Sequence, residues 1–232
     1  FNIDNEKNMV LLGFIGFLDP PKESAKESIE KLNKAGIRVI VLTGDNADVT
    51  RCVCNKVGIS SKRIVTGSDI DKLADIGVIR LLRKTNIFAK LSPIQKARIV
   101  RLLKVSGNVV GYMGDGINDS PSLTNSDIGI SVDTAVDIAK ESADIILLEK
   151  DLNVLLDGVT EGRRTFANLM KYIKMAISFN FGEVVSVIIA SVLLPFLPET
   201  PIQLLVEGLL YDFGQLTLPF DNVDKEYLQK PR

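Results

Sequence analysis

"NVVGYMGDGINDS", Asn108 to Ser120, runs from an apolar segment straight into a glycine-flanked acidic turn. Val109 to Met113 reads as a strand. Asp115 and Asp119 follow, four residues apart, with Asn118 between them. A strand that delivers two carboxylates to its carboxyl end either turns a corner or surrounds a cation, and the rest of the chain has to decide which.

The same arrangement recurs up to about Asp151. Met9–Phe17, Ile37–Thr43, Asn86–Lys90, Asp127–Val132 and Asp144–Leu148 are further strand-like runs. Between them lie the helical patterns "KESAKESIEKLNKAG", "ADVTRCVCNKVG" and "PIQKARIVRLLKVSG", which end at Gly36, Gly58 and Gly107. Glycine is the residue best suited to the left-handed stop of a helix. Apolar strands alternating with helices predict an α/β fold with a doubly wound, mostly parallel sheet covered on both faces. In such folds sites gather at the carboxyl ends of strands. Thr43-Gly44-Asp45, Lys90-Leu91-Ser92 and Gly114-Asp115-Gly116 all fall there.

Composition narrows the chemistry. The 232 residues carry 28 basic and 29 acidic side chains, a formal net charge of −1, so no basic face argues for nucleic acid. There is no histidine, which removes His-based acid–base chemistry and most zinc sites. Cys52 and Cys54 point to different sides of a helix and read as small buried hydrophobes. "FNIDNEKNMV" has no basic segment followed by an apolar core, so it does not read as a signal peptide.

After Asp151 the solvent changes. Met175–Pro198 contains a single ionisable residue, Glu183, and is long enough to span a bilayer. Ile202–Phe220 is a second apolar run carrying Glu207 and Asp212. Arg163, Arg164, Lys171 and Lys174 precede the first run, and Lys225, Lys230 and Arg232 follow the second. By the positive-inside bias both ends are cytoplasmic, and the pair is expected as a membrane-embedded hairpin contacting lipid. The expected organisation is an α/β domain over 1–155, a stalk helix over 156–174, the hairpin over 175–220 and a cytoplasmic tail over 221–232. Asn180 and Glu183 share a helix face, and Asp212 lies near the middle of the second run. Ionisable groups at membrane depth signal function, and oxygen ligands from two helices suit a transported divalent cation. Hydrogen bonding between the helices is the bland alternative.

Three pieces meet at the strand ends: "TGDN" (Thr43 to Asn46), "SPIQK" with Lys96, and "GDGIND" (Gly114 to Asp119). Phosphoryl transfer needs hydroxyl and backbone donors for phosphoryl oxygens, a cation for developing charge, and carboxylates to hold Mg²⁺. Each piece alone also reads as a turn, a helix cap or a solvated lysine.

In order, "DPPK" (Asp19 to Lys22), "TGDN", "FAKLSPIQK" (Phe88 to Lys96) and "MGDGINDSPSL" (Met113 to Leu123) resemble the phosphorylation domain of cation-transporting P-type ATPases. That domain has the haloacid-dehalogenase-like fold. "SFNFGEVV" and "LLYDFGQL" resemble the family's fifth and sixth membrane helices, and the tail from Leu216 to Pro231 is similar to magnesium-importing members. The resemblance implies ATP as substrate and Mg²⁺ as cofactor, in a multi-pass protein of the plasma membrane. It implies that Asp115 is the catalytic Mg²⁺ ligand, that Asp119 supports it in holding the metal, and that Asn118 lies near the phosphoryl group. Thr43 and Gly44 would hold its oxygens, and Lys96 would neutralise charge beside the nucleophile. Asp45 and Asp19 would lie at the nucleotide side and hinge, and Asn180, Glu183 and Asp212 at the transported-cation site. Glu183 departs from the magnesium branch, where a neutral residue stands, and matches calcium pumps. That makes Ca²⁺ the alternative ion, though the tail still favours Mg²⁺ and its import.

The family's nucleophile is the first aspartate of D-K-T-G-T, and no such string occurs here. "DIDKL", Asp69 to Leu73, imitates a phosphatase motif but is better explained by a helix cap at Ser68 or Asp69. The expectation is the carboxyl-side part of a pump, inactive alone. The alternatives are a non-catalytic membrane-anchored module docking with a complementary pump fragment, a calcium-type pump fragment, and a soluble phosphatase of the same fold.

Overall fold

In the computed structural model the described residues are 10, 12, 13 and 20–229. The Met9–Phe17 run, apart from three of its positions, and Asp19 lie outside them.

Among the described residues six short strands occur, all in parallel pairs, as the alternation of runs predicts. They are β1 (Val41–Leu42), β2 (Ile64–Thr66), β3 (Ile87–Ala89), β4 (Gly111–Met113), β5 (Ile128–Val132) and β6 (Ile145–Leu147). Among the described residues they form two three-stranded sheets, ordered β1-β3-β2 and β4-β5-β6, instead of one continuous sheet. β1 is shorter than its apolar run, because only Val41 and Leu42 find ladder partners, Ile87 and Phe88. β2 was not anticipated: three residues are too few to show a period.

The helices of the α/β part are α1 (Ala25–Lys34), α2 (Ala47–Lys56), α3 (Gly67–Asp71), α4 (Asp75–Leu82), α5 (Pro93–Val105), α6 (Ser120–Asn125) and α7 (Asp137–Glu141). Gly36, Gly58 and Gly107 take φ of 77°, 80° and 83° just past α1, α2 and α5, the positive-φ stops that their positions suggested. Asn46 caps α2, its side chain accepting from the amides of Asp48 and Val49. At α3 the cap is Thr66, and Asp69 closes a capping box by accepting from the Thr66 amide and hydroxyl at 2.9 and 2.7 Å. The "DIDKL" aspartate is thus a capping partner, one residue-role away from the cap expected at Ser68 or Asp69. Cys54 is buried, but Cys52 is exposed, because residues two apart lie about 200° apart around a helix.

Helix α5 packs between the sheets. Ile99 and Leu102 enter the cluster of Val65, Ile70, Val78, Leu82 and Phe88, whereas Val100 enters that of Tyr112, Leu123, Ile130 and Val132. Leu42 packs against both. Arg98 ties α5 to α4 through Asp75, at 2.7 Å, and the Leu73 carbonyl.

From Asp151 onward one helix dominates. α8 (Leu152–Leu193) has 42 residues with no break between the anticipated stalk and span, and rises roughly 63 Å. Its N-cap, Asp151, accepts from the Asn153 amide at 2.8 Å. It ends where Leu194 turns extended ahead of Pro195, as a residue before proline prefers. α8 is long and apolar enough to cross a membrane, and none of its most apolar window is buried, unlike the core helix of a soluble protein.

The second apolar run is helical only as α9 (Pro201–Gln215), 15 residues started by a Thr200–Gln203 capping box. That is roughly 22 Å, short of the hydrocarbon thickness of a bilayer. Beyond a 3₁₀ turn, α10 (Lys225–Gln229) and the segment before it lie back on α8. Lys171 bonds Asp221 and the Asn222 carbonyl, each at 2.7 Å, Asn168 donates to the Pro219 and Asp221 carbonyls, and Arg163 to that of Leu228.

Phe88 is fully buried where β3 meets α4 and α5. Replacing it with alanine is expected to cost about 3–5 kcal/mol, read as a lowered urea midpoint of the α/β part by circular dichroism.

Candidate functional site

Three strand ends converge through hydrogen bonds. The Leu91 amide donates to the Thr43 carbonyl at 3.0 Å and the Lys90 amide to that of Asp45 at 2.8 Å, so the loops after β1 and β3 are laced together. Lys90 carries the one positive φ, 52°, among described non-glycine residues. α5 starts directly after this loop with Ser92 as cap, Pro93 in its first turn and Gln95 closing a capping box. That start places Lys96 in the first turns of α5, where its Nζ reaches Asp119 Oδ1 at 2.8 Å. The sequence-predicted "TGDN", "SPIQK" and "GDGIND" pieces therefore lie at one end of the α/β part.

Within the first loop, Thr43 Oγ1 accepts from the Asp45 amide at 3.1 Å and donates to Asp45 Oδ2 at 2.9 Å. Gly44 and Asp45 are exposed and Thr43 is half-buried, so a ligand can approach all three.

The second loop treats its two aspartates differently. Asp119 is held by three donors: Lys96, the Tyr112 hydroxyl at 2.7 Å, and more weakly the Gly116 amide at 3.4 Å. Lys96 and Asp119 are 13% and 14% exposed, so this is a largely desolvated ion pair. Burial opposes the charge on Asp119, yet Lys96 and Tyr112 outweigh it and hold the carboxyl below the usual carboxylate range. Burial, and then the bond to Asp119, push the Tyr112 phenol well above its ordinary value. Gly114 permits this packing: a Cβ there would lie 2.5 Å from Asp119 Cβ and 2.8 Å from its Cγ.

Asp115, by contrast, is exposed, its Oδ2 accepting from Lys150 at 2.7 Å. Asn118 is also exposed. Among the described residues no three Asp, Glu or Cys side chains gather into a ready-made metal cage. A hard cation such as Mg²⁺ does not require one: it keeps several waters and takes one or two carboxylates together with substrate phosphate oxygens. Asp115 fits that role, with an open carboxylate at a strand end opposed only by an exposed lysine. Asp119, with Lys96 on Oδ1, fits as a supporting group through Oδ2.

Tyr112 and Lys150 were not anticipated. A tyrosine at the single buried position of β4 needs a hydroxyl partner, which is the signal that points to it. Lys150 sits in a polar stretch ahead of α8, and nothing in the pattern marks it.

Beyond the α/β part, Phe179 of α8 stacks on Tyr211 of α9 with centroids 4.2 Å apart. Their chain neighbours Asn180 and Asp212 are exposed. Glu183 lines a groove with Ser191, Glu199 and Leu204, and Glu207 lines another with Phe179 and Tyr211.

Residues 3–127 match the family model described as haloacid dehalogenase-like hydrolase. The chain is 56% identical over 228 residues to the magnesium-transporting ATPase, P-type 1, of Escherichia coli K12, covering 98% of this chain and 25% of that protein. It is 34% identical to calcium-transporting ATPase 1 of Bacillus cereus, covering 98% of this chain and 26% of that protein. It thus spans about a quarter of the length of the curated relatives it matches. Among solved structures, a zinc-transporting PIB-type ATPase in its E2.Pi state aligns with a TM-score of 0.63 at 25% identity, over 87% of this chain and 27% of that one.

Lys96→Met keeps the apolar stem but leaves Asp119 without its ammonium. A loss of about 3 kcal/mol in urea unfolding is expected, partly restored in Lys96→Met/Asp119→Asn.

Proposed function

Because the chain belongs to the haloacid dehalogenase-like hydrolase family, we propose that its three converging strand ends are the phosphoryl-handling site of an ATP-driven P-type divalent-cation transporter, with Mg²⁺ as the transported ion. The observation that carries this reading is the Lys96–Asp119 pair beside the open Asp115 carboxylate. One cation and one carboxylate are locked together while a second carboxylate stays accessible. Phosphoryl transfer asks for this division, since it depends on preset charge more than on covalent help from the protein.

In this reading Thr43 and the Gly44 backbone bind phosphoryl oxygens. Gly44 has no side chain to block the approach, and the Thr43 hydroxyl is already aimed along the loop by Asp45. Asp45 lies toward the nucleotide; the role expected of Asp19 falls outside the described residues. Asn118, exposed between the aspartates, hydrogen-bonds the phosphoryl group. Lys96 lowers the cost of bringing an anionic phosphoryl group toward the loop, and Asp119 fixes the ammonium in place. Asp115, supported by Asp119, would hold Mg²⁺, which when bound neutralises charge on the phosphoryl group. The phosphate acceptor of the cycle is not among these 232 residues, which contain no D-K-T-G-T.

The membrane part of the proposal rests on α8 and on the second apolar run. α9 and the residues after it complete a hairpin facing lipid, in which Asn180, Glu183 and Asp212 supply oxygen ligands to the transported ion. The high identity to magnesium transporters favours Mg²⁺ over Ca²⁺.

A chimera tests the reading. Substituting this chain for the matching 228 residues of the E. coli magnesium-transporting ATPase should preserve Mg²⁺-supported growth of a cell lacking its own magnesium uptake. Asp115→Asn in the chimera should lower ATPase turnover by about a hundredfold or more. A chimera whose hydrolysis survives Asp115→Asn defeats the assignment. The chain alone, given radiolabelled ATP, should acquire no acid-stable label.

A further inference from the structure

Lys150 plays no part in the phosphoryl chemistry proposed above, yet its side chain and main chain face two different machines. Its Nζ donates to Asp115 Oδ2 at 2.7 Å. The two side chains are 57% and 53% exposed, so the pair is open to exchange with ions from solvent. A divalent cation on Asp115 would stand within a few ångströms of that ammonium, and like charges so close repel strongly. The two cations therefore compete for one carboxylate.

The main chain of Lys150 belongs to the head of α8. Its carbonyl accepts from Lys22 Nζ. The next residue, Asp151, caps α8 through Oδ1 to the Asn153 amide at 2.8 Å, and its Oδ2 accepts from Ser24 Oγ at 3.2 Å. The Asp151 amide in turn donates to the Glu149 carbonyl at 2.8 Å. One residue thus joins the acidic loop after β4 to the first turn of the membrane-directed helix.

We propose that Lys150 is a further residue of the cation site: its ammonium is the counter-ion of Asp115 when no divalent cation is bound, a divalent cation displaces it, and the displacement loosens the Lys150–Asp151 link at the head of α8. This rests on the reading of Asp115 as the Mg²⁺ ligand. The exchange gives the metal a direct way to alter the start of α8, with two residues of chain as the connection.

Mg²⁺ is titrated calorimetrically into the full chain in detergent micelles. An exposed ion pair is a weak competitor, so Lys150→Met should bind Mg²⁺ about twofold to fivefold more tightly than the unsubstituted chain. Lys150→Arg keeps the charge and should stay within about twofold of it. Equal affinity in Lys150→Met and the unsubstituted chain overturns the exchange while leaving Asp115 as the ligand. No Mg²⁺ binding by the unsubstituted chain, or undiminished binding by Asp115→Asn, overturns the ligand reading and the exchange with it. Hydrogen exchange at the Asp151 and Asn153 amides tests the link without metal. Metal-free Lys150→Met should exchange them severalfold faster, as expected where a local tether is lost. Identical exchange in the two chains overturns the coupling to α8.

Discussion

Helix α5 has to satisfy two sheets at once. Ile99 and Leu102 bury themselves against β2 and β3, and Val100 against β4 and β5. The sheets share no ladder of their own among the described residues, so side-chain packing joins their cores, with α5 and Leu42 entering both. The site inherits its geometry from that arrangement. Lys96 can meet Asp119 only because the first turns of α5 project from the end of one sheet over the end of the other. Arg98, gripping Asp75 and the Leu73 carbonyl on the next turn, fixes the rotation of the helix about its axis.

Charge at this end of the molecule is divided unequally. Two lysines face two aspartates, but one pair is desolvated and the other is wet. A desolvated pair costs solvation and so persists only where its geometry and extra hydrogen bonds are good. The Tyr112 hydroxyl and the glycine that lets Asp119 pack closely supply those conditions. A wet pair gains little and exchanges readily. Fixed charge beside replaceable charge is a sound basis for binding an anion and a metal in the same loop cluster.

α8 carries this arrangement away from the sheets as a single unbroken rod. It has no glycine-rich joint at the boundary where solvent-facing sequence becomes apolar. The returning segment at Asn168, Lys171 and Arg163 clasps the same rod partway along, mostly through main-chain carbonyls. Head and waist of α8 are thus both held by polar contacts, while its apolar stretch is left for another environment.

Local regularities were legible in the chain from the start. Apolar runs alternating with helical patterns specified parallel strands, glycines 36, 58 and 107 marked helix ends, and a long run with one ionisable residue marked a long apolar helix. Three-residue β2 and the truncation of β1 were not legible, because ladder length depends on what lies beside a strand. The site was half legible. Thr43, Lys96, Asp115 and Asp119 stood out as residues at strand ends, but Tyr112 and Lys150 did not, and the spacing by itself did not tell the two aspartates apart. Periodicity and turn chemistry report how the backbone runs over a few residues, and they settled the class of fold and the residue types at its strand ends. The partner of each charge is chosen across space. Asp119 meets a lysine 23 residues away and Asp115 one 35 residues away, so only the tertiary packing decided which carboxylate is paired in a buried setting and which is paired in the open.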